Sequence, residues 1–131
     1  EQEKEQSYFN APSGLPLIQH SLQMLLEQSA RGIFTLEQAV TKAAHNPATL
    51  YRVVDRGFLR EGYFADLTIV DLDRPQRITR ESLLYKCGWS PLEGLTFPAS
   101  VVTTLVNGTG VYEEGVVTES PRGQALEFLS R

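Results

Sequence analysis

The feature that most limits how this chain can fold is a change in hydrophobic spacing near residue 57. Before that point apolar residues recur at helical spacing, and after it they fall into short β-branched runs. Helices and strands bury their side chains in different patterns, so the chain must build two kinds of element. We therefore predict packed helices to about residue 54, followed by short strands.

The first predicted helix covers 15–31 and ends at Gly32, which suits the position after a helix C-terminus. His20 and Gln23 fall on the side opposite its apolar residues, so we expect both to face away from the core. The apolar face consists of Leu15, Ile18, Leu22, Leu25 and Leu26.

Two more helices follow in the first half of the chain. Thr35 and Gln38 have the spacing of a capping box, which predicts a second helix over 35–45. Asn46-Pro47 places a capping residue before a proline, an arrangement that favours helix starts. We therefore predict a break there and a third, short helix over 47–54.

In the second half of the chain, runs of β-branched and apolar residues predict strands at 65–71, 101–106 and 111–117. Apolar side chains fall on both faces of the first strand, so we expect it to be buried on both. Asn107-Gly108 between the other two is a strong hairpin signal.

The connections in this half are less regular. Thr79 can cap a short helix at about 80–85, and 86–98 should be an irregular loop because it contains two Gly and two Pro. A helical turn is predicted at 125–129.

Composition narrows the class of protein. A length of 131 residues suits one domain, and a net charge of −4 without basic runs argues against nucleic-acid binding. Apolar runs are too short for a membrane span, and the polar start EQEKEQ cannot act as a secretory signal. A single cysteine, Cys87, excludes an internal disulfide and favours a reducing compartment, the cytoplasm. Because no initiating Met is present, we expect a fragment of a longer protein.

The histidine, cysteine and aspartate residues of this chain are the usual candidates for catalysis or metal binding, but their spacing favours structural roles. His20 and His45 do not form a zinc-ligand motif, so His20 is expected at the surface or an interface and His45 as a solvated cation or cap partner at a helix end. Cys87 has no nearby histidine that could act as a base, which favours a packing role. The carboxylates near the first strand, at Asp66, Asp71 and Asp73, could bind a hard cation but more commonly cap turns.

The loop ahead of the first helix, NAPSGLP, is the best candidate for binding. Pro12 and Pro16 stiffen it, while Ser13 and Gly14 bring a small hydroxyl and a bare backbone to the helix start. Backbone N–H groups at such a start favour anions. From the residues alone, a ligand-binding loop and a simple capped turn both stay open.

Several segments in order resemble the C-terminal part of the dihydroorotases, within the cyclic amidohydrolase family. The segment HNPA followed by GFLREGYFADLTIVD is shared by many amidohydrolases and so indicates the superfamily. The segments APSG and WSPLEG narrow the resemblance to the branch that contains dihydroorotases, allantoinases and hydantoinases. The EQEKEQ entry favours dihydroorotase. The resemblance implies an α/β fold: residues 1–54 as the last outer helices of a (β/α)8 metal-dependent hydrolase barrel, and 55–131 as strands of a small composite β-sandwich.

The same resemblance implies a chemistry that this segment cannot complete. Zinc in the full-length enzyme would activate water against the cyclic amide of dihydroorotate, giving N-carbamoyl-L-aspartate. The family's metal ligands and its D-H-A-P-H aspartate are absent here, so the segment is expected to bind no zinc, supply no catalytic residue and be inactive alone. One role carries over by resemblance: Ser13 and Gly14 would present backbone to the substrate.

The implied partners are a small-molecule substrate, the remainder of the same enzyme and further copies in a homo-oligomer, in the cytoplasm. Two alternatives stay open. One is another cyclic amidase, such as an allantoinase or a dihydropyrimidinase. The other is a non-catalytic dihydroorotase-like subunit with an assembly role.

Overall fold

The computed structural model describes residues 1–118 and 123–130. Its α-helices are α1 (Ser21–Ala30), α2 (Leu36–Val40) and α3 (Asn46–Tyr51). Short 3₁₀ helices cover Gln2–Glu5, Ile18–His20 and Arg80–Ser82, and a π-helical turn covers Thr41–His45. The strands are β1 (Leu67–Asp71), β2 (Gln76–Arg77), β3 (Thr96–Phe97), β4 (Ser100–Val106), β5 (Thr109–Glu113) and β6 (Val116–Val117).

Helix α1 lies within the predicted span 15–31 but is shorter: residues 15–17 are not helical, Ile18–His20 form a 3₁₀ turn, and the α-helix covers Ser21–Ala30. It ends before Gly32, whose φ is +73°. Its buried face, however, carries His20, Gln23 and Leu26, so the assignment of His20 and Gln23 to the outer side is wrong. Gln23 can be buried because its Nε2 donates to Gln76 Oε1 at 2.7 Å, which satisfies the amide. Ile18, on the predicted apolar face, is 84% exposed.

The capping box at the start of α2 is confirmed. Gln38 N donates to Thr35 Oγ1 at 3.3 Å, and Thr35 N donates to Gln38 Oε1 at 2.9 Å. The predicted break at Asn46-Pro47 is wrong, because Asn46 has helical backbone angles and donates its N–H to Thr41 O, five residues back. This wide π turn accommodates a proline that has no N–H for the regular ladder, so α2 and α3 form one continuous helical stretch.

The helical stretch ends at Arg52, in the left-handed region with φ of 55°. The chain then returns across α3 at Gly57, whose φ is +80°. A Cβ at Gly57 would overlap the Ala48 methyl group and lie 3.0 Å from Ala44 O. Only glycine meets both demands, the positive φ and the close approach.

The main sheet is antiparallel with the order β1-β4-β5-β6, and β2 and β3 form a separate pair. The Asn107-Gly108 hairpin is confirmed, with φ of 50° and 79° at the two turn residues. The single strand predicted at 111–117 is wrong, because Glu114 and Gly115 adopt φ of 49° and 93° and fold the chain into a second hairpin. Burial of β1 on both faces is also wrong for the described residues, since Ile69 is 51% exposed.

Three connections differ from expectation. The helix at Thr79 is a single 3₁₀ turn, Arg80–Ser82, and the loop at 86–98 contains the short strand β3. The tail at 125–129 is extended, not helical: Val54 N donates to Glu127 O at 2.9 Å, and Phe128 forms an isolated bridge with Val53. Long-range pairing with the chain after α3 outweighs the local helical tendency there.

The most deeply buried side chains lie between α1 and the β2–β3 pair: Ile78, Phe97 and His20. Large apolar side chains stay exposed elsewhere, among them Leu50 at 75% and Tyr51 at 65% on α3. Among the described residues, none of the helices combines the length and the apolar composition that a membrane crossing requires.

Candidate functional site

The candidate site is the loop of residues 10–16, hereafter the 10–16 loop, which connects the N-terminal turn to the start of α1. Ser13 and Gly14 are exposed at its tip. Gly14 has φ of +86°, and a Cβ built on it would meet nothing within 4 Å. The glycine is therefore required by the backbone angle of the turn, and the space beside it is open.

The first anchor of the 10–16 loop is Lys4. Its Nζ donates to Gly14 O at 2.6 Å and also to Pro12 O. These two carbonyls flank Ser13, so one ammonium group holds the loop on both sides of its tip. Sequence reasoning missed Lys4, and its position among the glutamates of EQEKEQ gives no spacing signal that could have identified it.

The second anchor is Gln19, just after the loop. Its Nε2 donates to Ser82 O at 2.8 Å, and its Oε1 accepts from Leu84 N at 2.8 Å. Its backbone N donates to Tyr85 Oη at 2.9 Å. Gln19 therefore joins the start of α1 to the 82–85 segment through three hydrogen bonds.

The backbone donors at the tip are available. Among the hydrogen bonds of residues 1–118 and 123–130, none uses the N–H of Ser13 or of Gly14. An exposed N–H pair in an anchored loop can donate to the carbonyl or carboxylate oxygens of a small molecule. The structure thus leaves the predicted binding pair, Ser13 and Gly14, accessible and preorganised.

His20 follows the loop in sequence and is buried within this chain, so its prediction as a surface or interface residue is wrong. Its ring stacks on Phe97 and meets Tyr85 edge-on, at centroid distances of 6.4 and 6.1 Å. Burial lowers the pKa of His20, because desolvation disfavours the charged imidazolium. Its Nδ1 has no hydrogen-bond partner among the described residues. His20 also lines a largely apolar groove of about 460 Å³ between the start of α1 and the main sheet.

The other candidate side chains lie apart from the loop. His45 is half-buried within the continuous helical stretch, and its ring stacks on Phe58 at 4.4 Å, so its expected position in solvent at a helix end is wrong. Cys87 is exposed, which contradicts the expected packing role. Its nearest polar contact is a long one, from Sγ to Trp89 O at 3.7 Å.

The carboxylates near β1 have structural partners. Asp66 pairs with the buried Arg56, whose guanidinium also donates to Asn107 Oδ1 at 2.8 Å. Asp71 Oδ1 accepts from Asp73 N at 3.0 Å, the turn-capping role expected of aspartate.

A zinc site does not fit these residues. In the part of the chain that the structure describes, His, Cys, Asp and Glu side chains do not gather in groups of three. Because zinc needs at least three protein ligands, no step at a metal can be assigned to the described side chains.

This chain is similar in sequence to known amidohydrolases. A model of the Amidohydrolase family matches residues 8–111. The dihydroorotase of Pyrococcus furiosus is 34% identical over 114 residues, which cover 87% of this chain and 27% of that protein. The dihydroorotase of Halobacterium salinarum is 36% identical over 118 residues, covering 88% and 27%. The chain spans about a quarter of the length of these curated relatives.

Solved structures give the same architecture. L-Hydantoinase (dihydropyrimidinase) from Arthrobacter aurescens superposes with a TM-score of 0.75 at 32% identity, covering 84% of this chain and 25% of that one. D-Hydantoinase (dihydropyrimidinase) from Thermus sp. reaches a TM-score of 0.79 at 20% identity, covering 85% and 25%, and supports the fold alone. The mixed helix and sheet arrangement described above agrees with the α/β class.

Proposed function

Since this chain belongs to the amidohydrolase family, we propose that it is the C-terminal segment of a dihydroorotase. The intact protein reversibly hydrolyses the cyclic amide of dihydroorotate to N-carbamoyl-L-aspartate, in pyrimidine biosynthesis. The support is the group of dihydroorotases at 34% and 36% identity, each aligned over more than four-fifths of this chain.

In this proposal the 10–16 loop contacts the substrate. The observation that carries it is the pair of exposed N–H groups at Ser13 and Gly14, which have no hydrogen-bond partner among the described residues and lie between the anchors Lys4 and Gln19. Dihydroorotate and its product are rich in carbonyl and carboxylate oxygens, which accept from backbone N–H groups. The role of the loop is to bind and orient the ring, because preorganised donors lose little entropy on binding.

The remaining parts of the active site come from sequence outside this segment. We assign zinc to that remainder, because the described residues hold no ligand group for it. The segment alone is accordingly inactive. Residues 1–54 contribute the last outer helices of the barrel and 55–131 contribute strands to the β-sandwich. The intact protein works in the cytoplasm as a homo-oligomer.

A second candidate is hydrolysis of hydantoins or dihydropyrimidines. The observation that favours it is the 32% identity with L-hydantoinase from Arthrobacter aurescens over 84% of this chain. The substrates of the two candidates share the cyclic amide group and differ in ring size or ring substituents, so both use the 10–16 loop in the same way.

Steady-state kinetics of the full-length protein decides between them. We expect turnover of dihydroorotate with a kcat/KM at least tenfold above that for hydantoin and dihydrouracil. A higher kcat/KM for hydantoin or dihydrouracil than for dihydroorotate supports the second candidate. Absence of activity on all three substrates in zinc-loaded protein supports a non-catalytic assembly subunit.

A matched pair of variants tests the loop itself. Ser13→Pro removes the N–H donor and should lower kcat/KM by at least tenfold, whereas Ser13→Ala keeps the N–H and should change it by less than about threefold. If both variants stay within threefold of the unmodified protein, the Ser13 N–H does not contact substrate.

A further inference from the structure

Lys4 contacts the 10–16 loop through its side-chain ammonium group. An ammonium group has three N–H donors and no acceptor, and two of its donors are used on loop carbonyls. The carbonyl oxygens of Pro12 and Gly14, on either side of Ser13, therefore both point toward the Lys4 Nζ atom. Few side chains could replace this contact, because it requires two donors at the end of a long, flexible stem.

The contact has a directional consequence for the tip. In a trans peptide the carbonyl oxygen and the following N–H point to opposite sides of the backbone, and the described part of the chain has no cis peptide bonds. Because Pro12 O faces Lys4, the N–H of Ser13 points away from Lys4. The same holds for Leu15, since Gly14 O also faces Lys4.

Charge alone does not explain this arrangement. Lys4 sits in a 3₁₀ turn, Gln2–Glu5, with Glu1, Glu3 and Glu5 close in sequence, so the segment is net negative. Such a segment offers no long-range attraction to an anionic substrate. The specific contribution of Lys4 is therefore its pair of hydrogen bonds to the loop.

We propose that Lys4 is a positioning residue, which holds the backbone of residues 12–14 so that the Ser13 N–H group faces the substrate. This inference rests on the proposed function of the loop. Lys4 itself does not touch the reacting atoms. Its removal should weaken substrate binding, because the donors must then be ordered at the cost of binding energy.

The test uses the full-length protein with Lys4→Met, which keeps the stem and removes the donors, and Lys4→Arg, which keeps several donors. Lys42→Met is the matched control, since Lys42 is exposed on the π-helical turn. We expect Lys4→Met to raise the KM for dihydroorotate about tenfold and to change kcat less than about twofold. Lys4→Arg should recover at least a third of the loss, and Lys42→Met should leave both constants within twofold.

Crystal structures of the unmodified and Lys4→Met full-length proteins separate this inference from the proposed function. Displacement of the 12–14 backbone together with a raised KM supports the positioning role. An unchanged loop, or a displaced loop with an unchanged KM, overturns it. If the unmodified protein does not turn over dihydroorotate or hydantoin, the proposed function fails, and loop displacement alone decides whether Lys4 sets the loop.

Discussion

Gln19 and Ser82 are joined by a hydrogen bond of 2.8 Å from the Gln19 side-chain amide to the Ser82 carbonyl. The bond connects the start of α1 to the segment before the irregular loop. Because the other side of the same amide accepts from Leu84 N at 2.8 Å, one side chain bridges two backbone groups of that segment.

This bridge predicts a local effect on hydrogen exchange. In Gln19→Ala the Leu84 N–H loses its acceptor, so its exchange in the full-length protein should become at least tenfold faster. Gln124→Ala is a suitable control, since Gln124 is exposed in the tail. Unchanged exchange in the peptide containing Leu84 would show that Gln19 does not hold this segment.

Gly57 should not tolerate alanine. The change combines a strained positive φ with overlap against Ala48, and we expect it to lower the free energy of unfolding by about 3 kcal/mol. Gly62→Ala is the matched control, because Gly62 has nearly the same φ, +83°, with nothing within 4 Å of the added Cβ.

The control should cost only the backbone strain, about 1 kcal/mol. Urea denaturation midpoints of the full-length variants measure both effects. Equal losses for Gly57→Ala and Gly62→Ala would contradict the close approach between Gly57 and Ala48.

The ion pair of Arg56 and Asp66 should contribute more to stability than the pair of Arg74 and Glu114. The Arg56 side chain is only 10% exposed, and its guanidinium also lies 4.0 Å from the Phe64 ring centroid. Removing the Asp66 charge leaves a buried cation partly unpaired, so Asp66→Asn should cost about 2 kcal/mol.

Arg74 and Glu114 form a 2.6 Å pair with both side chains about half exposed, so Glu114→Gln should cost less than about 1 kcal/mol. Thermal unfolding of the two full-length variants makes the comparison. A loss for Glu114→Gln that matches or exceeds the loss for Asp66→Asn would contradict the difference in burial.

Burial of His20 predicts how stability depends on pH. Desolvation lowers its pKa in the folded protein below the ordinary value of 6.5, so the unfolded chain binds the proton more tightly. The stability held by the neutral ring is present above pH 6.5 and is lost as the pH falls below it, toward the folded pKa.

His20→Phe removes this titration and the Nδ1 that has no partner among the described residues, while keeping an aromatic ring against Phe97. The full-length variant should therefore lose less stability than the unmodified protein between pH 7 and pH 5, measured by urea denaturation. Parallel losses in the two proteins would contradict the assignment, and other titrating groups cancel in the comparison.

Local signals in the sequence predicted several elements correctly. The Asn107-Gly108 hairpin and the capping box of Thr35 and Gln38 depend on residues close in the chain, so their patterns were sufficient. The second hairpin was missed because Glu114 adopts a positive φ that its residue type does not favour.

Features that depend on distant partners could not be predicted in this way. Gln23 is buried only because Gln76, across the core, satisfies its amide, and His20 is buried against Phe97. For the candidate site, the pattern around Gly14 indicated an open backbone, but the anchor at Lys4 required knowledge of where its side chain ends. The open turn at Gly14 was therefore predictable from the sequence, whereas the side-chain contacts that hold the loop were not.

The most direct test of the central claim is a crystal structure of the full-length protein with dihydroorotate or N-carbamoyl-L-aspartate bound. We predict that the N–H of Ser13 or Gly14 lies about 3 Å from an oxygen of the ligand. A ligand bound in the active site without any contact to the 10–16 loop would contradict the account.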